Sequence, residues 1–193
     1  MAYSINSEGI LASARYIESR HQNARPVGHK INMIVIHSVS LPEGEYGNGY
    51  VEKFFCHGSD VALGGLDIAL HESLAKLKDL RVSAHLFITR TGEIVQFVPF
   101  GDRAWHAGAS EFRSEKACND FSIGIELEGT DYSPFEEIQY EKLIEVIIAL
   151  QNTYPEITHD RIVGHEHIAP GRKTDPGVCF DWARLRNFTK EIA

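Results

Sequence analysis

Cysteine is scarce. Cys56, Cys118 and Cys179 are three in 193 residues, far apart and without a C-x-x-C pair. An odd, scattered set excludes a disulfide framework and fits reduced thiols in a cytosolic protein. Basic runs are also missing, and the formal net charge is −8. That excludes the broad positive footprint needed for nucleic acid or an anionic membrane, so an anionic substrate would have to meet cations placed locally. No apolar stretch approaches the roughly 18 residues of a membrane span. The opening residues, "MAYSINSEGI", lack a cationic start followed by an apolar run. The expectation is therefore no secretory signal and a cytoplasmic location. Repeats and low-complexity segments are absent, and no obligate protein partner is evident.

What is present is globular. Hydrophobic residues make up 43% and charged residues 24%, enough for a real core. The length predicts one domain over 1–193, with its core at about 31–186. The β-branched run 31–36, "INMIVI", predicts a buried strand ending at His37, and the Gly/Pro-rich "LPEGEYGNGY" after it predicts an exposed loop. "YVEKFF" and "LDIALHESLAKLKDL" carry apolar residues at helical spacing, with Leu70, Leu74 and Leu77 on one face. Residues 84–89 and 93–98 flank "RTG" and predict a β-hairpin. In 122–128, "SIGIELE", Ile123, Ile125 and Leu127 point one way while Ser122, Gly124, Glu126 and Glu128 point the other. Ser133, Pro134 and Glu136 predict a capped helix start, with Leu143, Ile144, Ile147 and Ile148 as its buried stripe. "RIVGH" predicts a strand ending at His165. A last helix is expected to start from Asp181 and bury Trp182, Leu185 and Phe188. Strands and helices so mixed give an α/β or α+β domain with a mixed central sheet.

Chemistry concentrates in two places. Two predicted strands end in histidine, at His37 and His165, and strand ends form the rim where sites are commonly built. Asp175 lies ten residues beyond His165, and Pro176 biases it toward extended backbone. If that run is extended, Lys173 projects to the same side as Asp175. Two imidazoles and one carboxylate form an open metal site of the zinc type. With ten histidines in the chain, each one alone reads first as structural or solvated and only second as a ligand. Glu126 is readable as a solvent-facing carboxylate, and Lys173 as a surface lysine.

Five blocks, "VIHSVSLPEGEYG", "RVSAHLFITRTGEIVQFVPFGDRAWHAG", "CNDFSIGIELEGTD", "GHEHIAPGRKTDPG" and "FDWAR", carry a family resemblance. In their order and extent the chain resembles the zinc-dependent N-acetylmuramoyl-L-alanine amidases, which are related to peptidoglycan recognition proteins. Within them it looks most like the AmpD-like branch of cytoplasmic peptidoglycan recycling. The resemblance implies a mixed sheet flanked by helices with one Zn2+ per chain at the rim. It places metal ligands at His37, His165 and Asp175 and catalytic groups at Glu126 and Lys173. The implied reaction is hydrolysis of the amide between the lactyl group of 1,6-anhydro-N-acetylmuramic acid and L-alanine, with an anhydromuropeptide as substrate. Because that substrate carries carboxylates, Arg81 is the candidate clamp. Trp105 and His106 are candidates to line its groove, although a tryptophan is more often a core anchor. Action on intact peptidoglycan and non-catalytic muropeptide sensing are the competing functions. A two-histidine, one-carboxylate iron centre is a third, but it leaves Glu126 and Lys173 without a task.

Overall fold

The alternating segment 122–128 lies in the middle of a six-stranded sheet. The structure is a computed structural model, and it describes residues 3–58, 77 and 79–190. Strands β1 (Arg15–Tyr16), β2 (Gln22–Ala24) and β3 (Met33–Val39) lead into helix α1 (Tyr50–His57). Strands β4 (Leu86–Ile88), β5 (Ile94–Gln96), β6 (Asp102–Ala104), β7 (Glu111–Phe112), β8 (Glu115–Lys116) and β9 (Ser122–Glu128) follow. Helix α2 (Glu137–Thr153), strand β10 (Ile162–Gly164), the one-turn helix α3 (His165–Ile168) and helix α4 (Trp182–Lys190) complete the chain order. The main sheet runs β1-β5-β4-β9-β3-β10. The hairpin pair β4–β5 is antiparallel, as "RTG" predicts, and the other neighbours are parallel. The chain is a single α+β unit with a mixed sheet, as expected.

Both faces of this sheet are covered, which is why β3 reads as a continuous apolar run. Ile34, Ile36, Ile123, Ile125 and Leu127 on one face pack against Leu143, Ile144 and Ile147 of α2. On the other face Phe87, Val95 and Phe97 meet Val51, Phe54 and Phe55 of α1, while Met33 and Val35 join Phe121 and Ile168. Each such side chain contributes roughly 1.5–3 kcal/mol on full burial. The polar set of β9 is buried as well: Ser122 is 0% exposed, Glu126 8% and Glu128 5%. Glu126 is thus no solvent-facing carboxylate.

Several boundaries differ from expectation. Strand β3 continues past His37 to Val39, because its pairing with β9 runs on through Ser38↔Leu127 and Val39↔Glu128. Helix α2 is capped by Glu136, not Ser133, and the reciprocal partner is Gln139, whose Oε1 accepts the Glu136 N–H at 2.9 Å. The reason is packing. Phe135 must stay outside the helix to fill the core beside Tyr140 and Phe180. Asp181 does cap α4, accepting the Arg184 N–H at 2.9 Å, and Leu185 is buried beneath it. Leu77 packs against the α1 cluster. Leu70, Leu74 and the Phe188 side chain lie outside the described residues. Among the described residues no helix is long and apolar enough to cross a membrane.

Candidate metal centre

Register brings three polar residues into one row. β10 pairs with β3 as Ile162↔Ile34, Val163↔Val35 and Gly164↔Ile36, so the next position, His165, falls beside His37. On the other side His37 pairs with Glu126 of β9. Residues directly opposite in a sheet share a face, so adjacent strands deliver an imidazole, an imidazole and a carboxylate side by side. His165 does this as the first residue of α3, not as a strand end. Asp175 arrives from the following loop, whose backbone is tied in where the Glu166 N–H donates to the Asp175 carbonyl at 3.0 Å. Gly164 permits this close return, since a Cβ there would come 2.7 Å from Pro176.

The trio converges tightly. His37 Nδ1 lies 3.0 Å from His165 Nδ1, and Asp175 Oδ2 lies 2.9 and 3.1 Å from those two nitrogens. His37 and His165 side chains are 2% and 3% exposed. His165 Nε2 sits 3.1 Å from the Ala107 carbonyl oxygen. A carbonyl only accepts, so Nε2 carries the His165 proton and Nδ1 presents a lone pair to the trio. Arg172 steadies the same carbonyl, donating from Nη2 to Ala107 and Ala109 oxygens at 2.7 Å each. Burial depresses the His37 pKa to about 4, against a smaller upward pull from Asp175, so His37 is neutral at pH 7. Lone-pair nitrogens and an anionic oxygen this close repel one another unless a cation lies among them. Ligands bound to zinc at about 2.0–2.1 Å in tetrahedral array stand about 3.3 Å apart. The three residues therefore fit a metal ion, and they leave a fourth direction open.

Glu126 completes the interior of the site. Its Oε2 is buried with no hydrogen-bond partner among the described residues. Burial pushes its pKa well above the usual carboxylate value, the Asp175 charge adds to the shift, and the Lys173 ammonium opposes it. Lys173 is itself exposed, and it lines a cavity of about 180 Å³ together with His37, Glu126, His165 and Asp175. A larger cavity, about 620 Å³, lies where residues 24–31 meet the end of α2, and it gathers none of these groups.

The three residues expected to contact substrate are placed differently. Arg81 is exposed; its neighbours Leu80, Val82 and Ser83 line the cavity and Arg81 does not. Trp105 lies beside the site, donating from Nε1 to Asn23 Oδ1 at 2.6 Å and stacking on His21. His106 is 8% exposed and lines the inner wall, with Nδ1 3.0 Å from His37 Nε2. Sequence reasoning passed over Arg172, Asn119 and Ser122, which hold this inner wall. For Ser122 the signal was present, because it shares the polar alternation of Glu126 in β9.

A family model described as N-acetylmuramoyl-L-alanine amidase matches residues 27–178. The 1,6-anhydro-N-acetylmuramyl-L-alanine amidase AmpD of Haemophilus influenzae is 47% identical over 183 residues, 95% of this chain and 96% of that protein. AmpD of Escherichia coli K12 is 47% identical over 179 residues, 93% of each. A crystal structure of a selenomethionine AmpD derivative aligns at a TM-score of 0.85 and 47% identity, covering 95% of this chain and 98% of that one. More distant is Escherichia coli AmiD, solved with the substrate anhydro-N-acetylmuramic acid-L-Ala-D-gamma-Glu-L-Lys. It gives a TM-score of 0.59 and 29% identity over 97% of this chain and 65% of that one. On this match, which spans most of its length, the chain belongs to the N-acetylmuramoyl-L-alanine amidase family.

Proposed function

We propose that this chain is a zinc-dependent amidase that hydrolyses the bond between the lactyl group of 1,6-anhydro-N-acetylmuramic acid and L-alanine of the stem peptide, in cytoplasmic peptidoglycan recycling. One observation carries the reading: the ligand atoms of His37, His165 and Asp175 lie within 3.1 Å of one another beside a buried Glu126 whose Oε2 has no hydrogen-bond partner among the described residues. Support for the substrate comes from relatives alike over almost their whole length, which are named for this reaction. A more distant relative was solved with an anhydromuropeptide.

An amide resists water because both the electrophile and the leaving group are poor. His37, His165 and Asp175 would hold the zinc, which would supply a Lewis acid to polarise the carbonyl and activate water near neutral pH. Glu126 accepts the proton of the attacking water as the new C–O bond forms, then returns it to the alanine nitrogen as the C–N bond breaks. Its raised pKa suits a group that must both take and give a proton near neutrality. Lys173 sets an ammonium at the cavity wall, where negative charge grows on the carbonyl oxygen. Removing one such group costs about 10²–10³ in kcat. Lys173→Ala should therefore lose turnover on that scale while keeping its zinc. An unchanged rate would remove Lys173 from the chemistry.

The overall reading is tested by mass spectrometry on purified 1,6-anhydromuramyl tripeptide beside intact sacculi. Free tripeptide and anhydromuramic acid should form from the first substrate, vanish with chelator and return with zinc. Binding without cleavage would make the chain a sensor, and preferential cleavage of sacculi would reassign the substrate.

A further inference from the structure

The polar chain leading inward from His37 orders its protons from the far end. At the far end the Ser122 hydroxyl lies 2.5 Å from the Cys118 carbonyl oxygen. A carbonyl only accepts, so the single hydroxyl proton is committed there. The same Oγ is 3.2 Å from His106 Nε2, where it must accept, so His106 carries its proton on Nε2. A neutral ring has one N–H, which leaves a lone pair on His106 Nδ1, 3.0 Å from His37 Nε2. The His37 proton is drawn to Nε2 in turn. With its proton on Nε2, His37 keeps the lone pair on Nδ1, facing His165 Nδ1 and Asp175 Oδ2; that carboxylate oxygen, 2.9 Å away, also only accepts and is the competing site for the proton.

The relay is sealed and held. Cys118 and Ser122 are 0% exposed, His37 2% and His106 8%, so solvent offers little alternative partner. Asn119 Oδ1 accepts the backbone N–H groups of His106 and Ala107 at 3.0 and 2.8 Å. Gly124 leaves the space that the His106 ring fills; a Cβ there would run into the ring. One short turn, Cys118–Asp120, thus orders the groups behind both histidines: His37 through Ser122 and His106, and His165 through the Ala107 carbonyl.

We propose that His106 and Ser122 are positioning residues that hold His37 as its Nε2–H tautomer, so that the Nδ1 lone pair is aimed at the ion before the ion arrives. The proposal rests on the zinc reading above. Without the Ser122 hydroxyl, the His106 proton loses its acceptor and moves to Nδ1, where it opposes the His37 N–H. His37 then carries its proton on Nδ1 and must release it to bind metal. Outer hydrogen bonds of this kind are worth about 10–100-fold in metal affinity.

Two measurements test this. Long-range nitrogen–proton NMR of the metal-free wild-type protein should show His37 as the Nε2–H tautomer. Zinc titration against a chromophoric chelator should show Ser122→Ala and His106→Leu binding about 10–100-fold more weakly. His106→Gln, whose amide both accepts and donates, should recover most of that loss. A wild-type protein that binds no zinc would sink the zinc reading itself. Wild-type zinc binding with equal affinity in Ser122→Ala and His106→Leu would overturn the positioning role alone. So would His106→Gln no better than His106→Leu, or a Nδ1–H tautomer at His37. Should the variants not fold, the wild-type spectrum decides.

Discussion

Asp175→Asn should leave the chain without stoichiometric zinc and slow turnover by about 10³-fold or more. The substitution changes little in volume, so the fold is expected to stand. What it removes is the anionic member of the trio. Asp175 Oδ2 sits 2.9 and 3.1 Å from two imidazole nitrogens, and imidazole ligates a metal as a neutral group. An amide oxygen there is a weaker ligand, and the site loses the negative charge that favours a dication. Metal-assisted polarisation supplies several kcal/mol of transition-state stabilisation, and each 1.36 kcal/mol is tenfold in rate. Elemental analysis of the purified variant and turnover before and after zinc addition read the two effects separately. One zinc per chain at the wild-type rate would show that Asp175 is no ligand. Acid should mimic the substitution in the wild-type protein, because protons compete with the ion for its ligands.

How much of this was legible in the sequence depends on whether a residue's role is local. The alternation of 122–128 placed Ile123, Ile125 and Leu127 on one face and Glu126 on the other. The run 31–36 announced a strand with both faces covered. These are periodicities, and periodicity survives in one dimension. The row Glu126–His37–His165 is different in kind. It exists because β9, β3 and β10 are neighbours in register, and no property of residues 126, 37 and 165 alone fixes that order. The family resemblance named those residues; the register explains why they meet. The Ser133 cap failed for a reason of the same sort. Ser-Pro-x-Glu is a sound local start signal, but Phe135 is needed in the core, and the helix waits for Glu136 and Gln139. Ser122 and Asn119 were missed because what they do is accept or donate to groups sixteen and thirteen residues away. Glu128 looked like Glu126 in sequence, yet both its oxygens are taken by backbone N–H groups of Gly47 and Arg90 at 2.6 and 2.9 Å. Glu126 Oε2 is left without a partner among the described residues. Only the fold separates the structural carboxylate from the chemical one.

Glu126→Gln should lose about 10²–10⁴ of turnover, the usual worth of a general base, and yet melt higher than the wild-type protein in neutral and alkaline buffer. Both effects come from one cause. Burial penalises the charged carboxylate, so the native state holds the Glu126 proton more tightly than the unfolded chain, whose carboxyl titrates near the ordinary 4.5. Between that value and the raised native one, the folded state binds more protons than the unfolded state, and stability falls as pH rises. Below pH 4.5 both states are protonated and Glu126 adds no pH dependence. Glutamine has no proton to lose. The melting temperature of Glu126→Gln minus that of wild type, measured with chelator present to keep metal out of the comparison, should therefore be smallest at pH 4 and grow toward pH 8. For a domain of this size each 1 kcal/mol corresponds to roughly 2–4 °C, so the growth of the gap with pH reads out the cost of ionising Glu126 in the folded state. Groups elsewhere titrate alike in both proteins and cancel in the difference. A gap that is flat with pH would mean that Glu126 is not desolvated in the folded chain. A variant that still turns over at the wild-type rate with zinc bound would take proton transfer away from this residue altogether.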